Sequence, residues 1–173
     1  FTAAGVLDTT YAASGHFIDL GTETSTGYGA AVDPATNKTT ISGDSNSNFA
    51  MWRLDSTGLL DTTFNGTGFN RILATTSYGK RVVLDSVGRA VATGWGTGPS
   101  GGNDVVVVRL NPAGVFEVTF NAGAPLWVNA AGGTADDNGY GIALDALGRI
   151  LVTGRSYQGV VNDFDMLLMR INP

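Results

Sequence analysis

The chain of 173 residues has no cysteine, a single histidine (His16) and only two lysines, Lys38 and Lys80. Without cysteine there is no disulfide framework, no thiolate zinc site and no thiol nucleophile. His16 stands beside no serine in a nucleophile context, and no G-x-S-x-G turn or phosphate loop is present. Charge is sparse, at 14% of residues with a formal net charge of −5. The basic face that nucleic acid or an anionic membrane requires is therefore missing. No apolar run approaches the roughly 18 residues that span a bilayer, and no signal peptide is visible. The chain begins with Phe1 rather than Met, which reads as a processed or excised piece of a longer product.

What the chain has in quantity is glycine, 25 residues, within a composition that is 43% hydrophobic. Thr, Ser and Asn are also frequent. This mixture favours short strands joined by tight turns, because Gly and Asn accept positive φ and Thr suits a pleated surface. No segment carries a helical period.

Three motifs recur in the same order. The first is a hairpin: "VDPATNKTTISG" at 32–43, "LDSVGRAVATG" at 84–94 and "LDALGRILVTG" at 144–154. The second is "FAMWRLD" at 49–55, "VVVVRLN" at 105–111 and "MLLMRIN" at 166–172. The third is "GVLDTTY" at 5–11, "GLLDTTF" at 58–64 and "GVFEVTF" at 114–120. Arg53, Arg109 and Arg170 are 56 and 61 residues apart, and Gly43, Gly94 and Gly154 are 51 and 60 apart. In the hairpins Asp33, Asp85 and Asp145 begin a type I turn, and Asn37, Gly88 and Gly148 take its left-handed position. Gly58 and Gly114 do the same in a second turn. Runs such as "VVVV" are apolar on both faces and imply sheets covered on both sides. The fold class is all-β, with β-propeller blades in three four-stranded repeat units of about 50–60 residues, approximately 1–55, 56–111 and 112–173. A β-helix, which repeats on a shorter period, is the second choice.

The pattern "YG-x-A-x-x-D-x-x-G-R-x-x-x-x-G" followed by "D-x-x-x-x-R-L-N-x-x-G-x-x-D-x-x-F-N" resembles the delta-60 repeat, a bacterial β-propeller repeat of unassigned function. The third copy keeps most of it. The second has Lys80 and Arg81 where the others have Tyr–Gly, and the first has Asn48 where the others have Asp104 and Asp165. The resemblance carries no catalytic residue or cofactor. It implies an extracellular or cell-surface bacterial scaffold within a large multidomain protein.

Residues that recur in every unit read as structural. The arginines satisfy carbonyls or a local acid, and Tyr11, Phe64 and Phe120 plug the joints between neighbouring blades. Function is expected where the units differ. Trp95, following a strand-ending glycine, is the best candidate for an exposed ligand-binding aromatic, and Tyr157, on another variable loop, is the second. Trp52, within a strand, reads as core. Asp136, Asp137, Asp163 and Asp165 are weak calcium candidates that read better as solvated loop acids. The glycine-rich "GWGTGPSGG" precedes a strand, not a helix, and reads as a flexible loop rather than a phosphate cradle. The expectation is a non-enzymatic scaffold for a protein or glycan ligand, without cofactor. The rival is the propeller domain of a polysaccharide-active enzyme, which would need acids converging near the axis.

Outer strands are expected at "GHFIDL", "GFNRIL" and "APLWVN", each ahead of three inner strands. The first would then lack its blade and the last blade would lack its outer strand. Head-to-tail association follows, with the N-terminal strand of one copy closing the last blade of another and Ile171–Asn172–Pro173 corresponding to Phe1–Thr2–Ala3 of the following copy. Two copies would make a six-bladed ring, unless further repeats of a longer parent chain do this work.

Overall fold

The structure is a computed structural model that describes residues 4–159 and 163–173; Phe1–Thr2–Ala3, invoked above for the junction between copies, lie outside the described residues. The chain is all-β and propeller-like, as the repeat predicts. Ten strands follow in order: β1 (Ser25–Val32), β2 (Thr39–Ser45), β3 (Asn48–Leu54), β4 (Phe69–Leu84), β5 (Ala90–Thr97), β6 (Asn103–Leu110), β7 (Leu126–Val128), β8 (Asp137–Leu144), β9 (Ile150–Tyr157) and β10 (Phe164–Ile171). The only helical segments among the described residues are two 3-10 turns, Tyr11–Ala13 and Asn121–Gly123, so no helix here is long and apolar enough to cross a membrane.

All neighbouring strands pair antiparallel. β1, β2, β3 and the first half of β4 form blade 1. The second half of β4 then becomes the first strand of blade 2, with β5, β6 and the short β7. Blade 3 has three strands among the described residues, β8, β9 and β10. One continuous strand thus serves as the outer edge of one blade and the first strand of the next. "GFNRIL" is the outer strand expected, whereas the second outer strand shrinks to Leu126–Val128. "GHFIDL" is not a strand: residues 16–20 have no ladder partner among the described residues, and a lone short strand has no stability of its own. Asp19 instead accepts hydrogen bonds from Trp52 Nε1 (3.1 Å) and Ser25 Oγ (3.0 Å).

The repeated motifs build the same local structure each time. Asp145 Oδ1 accepts the N–H of Leu147 and of Arg149, both at 2.9 Å, and Gly148 lies at φ 73°. Asp85 does the same for Val87 and Arg89, with Gly88 at φ 78°. In the first copy Asn37, at φ 55°, takes the place of glycine. The "GR" of the hairpin has a reason invisible in the motif. Arg89 Nε and Arg149 Nε return to Asp85 and Asp145 Oδ2, at 2.5 and 2.6 Å, and close the turn from outside.

Two apolar clusters form between blades. Phe49 and Met51 of blade 1 pack with Val82, Ala90, Ala92, Val106 and Val108 of blade 2. Val105 and Val107, from the other face of the same β6, pack with Ile150 and Val152 of blade 3. The "VVVV" run is apolar on both faces because blade 2 is covered on both sides. Phe64 and Phe120 are 1% and 4% exposed and belong one to each cluster. Phe64 lies against Gly114 of the next blade, as Tyr11 lies against Gly58. The backbone repeats the relation: Asn65 N–H donates to Ala113 O and Ala12 N–H to Thr57 O, both at 2.8 Å.

Candidate functional site

The first strand of every blade carries a β-bulge at the same place. The pairing register skips between Gly27 and Gly29, between Gly79 and Arg81, and between Gly139 and Gly141. The extra residue is Tyr28, Lys80 or Tyr140. A bulge re-aims the side chain it leaves unpaired, so these three residues occupy equivalent positions in three adjacent first strands. Opposite each bulge the second strand has Gly43, Gly94 or Gly154. A Cβ there would collide with the carbonyl oxygen of Thr26, Tyr78 or Asn138 respectively. The recurring glycine is the steric condition of the bulge.

Around this constant backbone the side chains change from blade to blade. The residue after the glycine is Asp44, Trp95 or Arg155, paired across the ladder with Thr26, Tyr78 or Asn138. Blade 1 presents Thr26, Tyr28 and Asp44; blade 2 presents Tyr78, Lys80 and Trp95; blade 3 presents Asn138, Tyr140 and Arg155. The first two sets meet. Lys80 Nζ lies 3.5 Å from the centroid of the Tyr28 ring, 5.1 Å from that of Tyr78 and 5.6 Å from that of Trp95. Tyr78 and Trp95 are themselves tilted together with centroids 4.5 Å apart. Burial pushes the Tyr28 phenol up from its ordinary value, and the Asp44 carboxylate adds to the rise. Burial lowers the Lys80 ammonium, with Asp44 opposing. In blade 3 Arg155 donates from Nε to Asn138 Oδ1 (2.9 Å) and stacks on Phe164 at 3.9 Å.

Trp95 is thus not an exposed loop aromatic. β5 continues to Thr97, so Trp95 is a half-buried strand residue stacked on Tyr78. The glycine-rich segment is a strand end followed by a tight turn, with Gly98 N–H donating to Gly102 O at 3.0 Å. Tyr157 ends β9, half-buried and edge-on to Phe164 at 5.5 Å. Trp52 is buried in β3, as its place in the motif suggests. Sequence reasoning passed over Tyr28, Lys80, Asp44 and Arg155 as site residues. The available signal was the change from Tyr–Gly to Lys80–Arg81 within an otherwise repeated pattern.

Arg53 is a joint between blades. Arg53 donates from Nε to Asp61 Oδ2 (2.7 Å), from one terminal nitrogen to Thr63 Oγ1 (2.9 Å), and from the other to the carbonyl of Pro112 in the next blade. It also covers the Phe64 ring at 4.9 Å. Arg109 repeats the contact with Thr119 Oγ1 (2.9 Å) and with the Phe120 ring (5.0 Å). Arg170 is exposed and has no such joint among the described residues. The acids five residues earlier are not their partners: Asp104 accepts a hydrogen bond from Ser100 Oγ, at 2.7 Å to Oδ2.

The four calcium candidates divide. Asp137 is fully buried, not solvated, because its Oδ2 ties the preceding loop through the N–H groups of Ala130 (2.7 Å) and Ala131 (3.0 Å). Asp136 Oδ1 accepts from Asn103 N–H at 3.0 Å. Asp163 and Asp165 are exposed near the start of β10. No three acids or histidines come together to hold a metal among the described residues. His16 is exposed, with Nδ1 3.2 Å from Ser14 O.

At the far end of the first strands the turns of blades 1 and 2 border a cleft of about 780 Å³. Its acids, Asp33 and Asp85, are committed to their own turns. The bulged end is where the chemistry varies.

Residues 35–64 and 88–120 match the family model of a domain of unknown function (DUF5122) β-propeller. Each match runs from the first hairpin turn, through the second and third strands, to the joint phenylalanine. The match supports a β-propeller repeat family of unknown function. No curated protein matches the chain.

Proposed function

We propose that this chain is a delta-60-type propeller segment acting as a non-enzymatic binding scaffold on or outside a bacterial cell. A protein or glycan ligand engages the bulged end of the blades. The observation that carries this reading is the contrast between a constant backbone and changing side chains. Glycines and joint arginines repeat, while Tyr28/Lys80/Tyr140 and Asp44/Trp95/Arg155 differ at equivalent positions. A purely structural role would favour the same residue in each blade. Asp44 is the one carboxylate among those positions, so the pair of acids that glycoside hydrolysis uses is lacking there. The low charge, the Thr- and Asn-rich composition and the absence of cysteine agree with an exported protein.

The scaffold also associates with its own kind. β10 has β9 on one side and no strand on the other among the described residues. The occupant of that edge is a strand like 69–76, supplied by a second copy or by a further repeat. An open strand edge invites such pairing.

The test is surface display and ligand capture. Antibody against the chain should label intact source cells. Immobilised protein should retain a ligand that a Tyr28→Ala, Lys80→Ala double variant releases, and should leave polysaccharides uncut. Labelling only after lysis removes the surface assignment. Equal retention by the double variant removes the site.

A further inference from the structure

We infer that Arg170 of one copy docks on Asp8, Thr10 and Tyr11 of a second copy, rebuilding between chains the joint that Arg53 makes within one. This rests on the self-association proposed above. It names the contact and commits to a second copy of this chain as the occupant.

The internal joint is the template. Arg53 donates to Asp61 Oδ2 and Thr63 Oγ1 and covers the Phe64 ring. Its backbone is engaged as well. The N–H donates to Gly68 O (2.9 Å), and the carbonyl accepts from Asp61 N–H (2.8 Å). Arg170 holds the same register, opposite Leu151 on β9 as Arg53 is opposite Thr40 on β2. It is exposed, and among the described residues its guanidinium has no ion pair, hydrogen bond or ring contact.

The acceptor is already built near the other end of the chain. Asp8 Oδ1 accepts from Thr10 N–H (3.1 Å) and Oγ1 (2.6 Å), as Asp61 Oδ1 accepts from Thr63 N–H (3.1 Å) and Oγ1 (2.7 Å). Tyr11 O accepts from Gly15 N–H as Phe64 O accepts from Gly68 N–H, at 2.6 and 2.7 Å. Ala12 and Asn65 share a positive φ, 50° and 51°. The loop has the shape of an occupied joint, yet Asp8 and Thr10 are exposed and no arginine reaches them among the described residues. A guanidinium gains charge-assisted hydrogen bonds there, and a loop already in its bound shape costs little to order. The two other loops of this kind are taken: Asp61, Thr63 and Phe64 hold Arg53, and Thr119 and Phe120 hold Arg109.

The strand that follows extends the match. Residues 16–20, without a ladder partner among the described residues, correspond in sequence to 69–73. In blade 1 Phe69, Asn70 and Arg71 lie opposite Trp52, Met51 and Ala50. The same register sets His16, Phe17 and Ile18 opposite Met169, Leu168 and Leu167 of the receiving copy. Phe17 then covers Leu168, which is 58% exposed, because directly opposed residues share a face. The contact begins at Ala4, since Phe1–Thr2–Ala3 correspond in sequence to Ile171–Asn172–Pro173 of the receiving copy.

The experiment uses full-length chains, and the lack of native cysteine makes every disulfide an engineered one. In the internal joint Leu54 lies opposite Leu60, flanked by hydrogen bonds on either side, and the side chains of such a pair are close. The counterparts between chains are Ile171 and Leu7. Ile171→Cys chains mixed with Leu7→Cys chains at micromolar concentration and oxidised should give a mixed two-chain disulfide. Val118→Cys, more exposed than Leu7 at 73% against 40%, should give none with Ile171→Cys. Arg170→Asp should weaken association in the ultracentrifuge at least about tenfold, and adding Asp8→Arg to the same chain should restore it. The cysteine pair leaves Arg170 in place, so it decides the matter even where a charge variant loses its fold. Association unchanged by Arg170→Asp overturns the junction. So do equal cross-linking from Val118→Cys and a charge exchange that restores nothing in chains with wild-type circular dichroism. If two-chain particles persist in those cases, self-association through another surface stands. If the wild type stays single and forms no mixed disulfide, the junction and the self-association both fall.

Discussion

Gly94 and Gly148 are both repeated glycines, and they are glycine for different reasons. Gly148 sits at φ 73° with nothing within 4 Å of a would-be Cβ, so its requirement is conformational. Gly94 has ordinary strand geometry, but a Cβ would collide with the Tyr78 carbonyl beneath the bulge. Gly148→Ala should therefore cost about 1–2 kcal/mol, the left-handed penalty alone. Gly94→Ala should cost about 1–3 kcal/mol or more, because the backbone of two strands must move, and it should displace Lys80. Urea midpoints measure the first effect; the Trp95 indole resonance, shifted in Gly94→Ala and not in Gly148→Ala, reports the second. At Asp61, burial alone would raise the carboxyl. Lys38 at 2.8 Å, the Thr63 hydroxyl and N–H, and the Arg53 guanidinium outweigh it and hold the group well below the usual carboxylate range. A carboxyl depressed in the folded state adds stability that is present above its unfolded value and is lost as pH falls towards the folded one. Denaturant midpoints should thus fall below roughly pH 4, and Asp61→Asn should flatten that fall. A variant with the wild-type slope would assign the acid sensitivity to other carboxylates.

At the scale of the element, the decisive unit is the loop from the third strand to the outer strand. It carries the joint phenylalanine and the partner groups of the joint arginine. Phe64 is held on one side by Arg53 and on the other by the turn of the next blade at Gly114. Phe64→Ala should cost about 3–5 kcal/mol, as for other buried aromatics, and Phe120→Ala should be similar. Because the two residues lie in different apolar clusters, their effects should add to within about 0.5 kcal/mol in the double variant. Strong non-additivity in equilibrium unfolding would mean that the three blades are one packed body rather than a row of joints.

The whole molecule is a row with two unlike faces. On β3 and β6 the residues facing the next blade, Phe49 and Met51, then Val105 and Val107, are fully buried. Their counterparts on β10, Met166 and Leu168, are 79% and 58% exposed. The same register that buries the first two pairs presents the third to solvent. If a second copy covers it, the chain should sediment as a two-chain particle at micromolar concentration, and Leu168→Lys should return it to single chains with unchanged circular dichroism. A wild-type chain that stays single would leave that face to further repeats of a longer protein.

The spacing of repeated residues was enough to establish strand content, turn chemistry, the blade repeat and the joint phenylalanines, because those depend on local backbone preference and on side chains that recur. Asp145–Gly148 could be read as a turn from four letters. The match of two segments to a β-propeller family rests on the same local pattern. What the letters could not show is which residues of different blades meet. Lys80 looked like a departure from a motif, and Trp95 like a loop aromatic. Only when the first strands of two blades lie side by side does Lys80 reach the ring of Tyr28, 52 positions earlier in the chain. The repeated arginines told the same story in reverse. The local acid of Arg53, Asp61, lies eight residues away and could be sought along the chain, but the carbonyl that Arg53 binds is on the next blade at Pro112. Contacts within a hairpin follow from order along the chain; contacts between blades follow from packing.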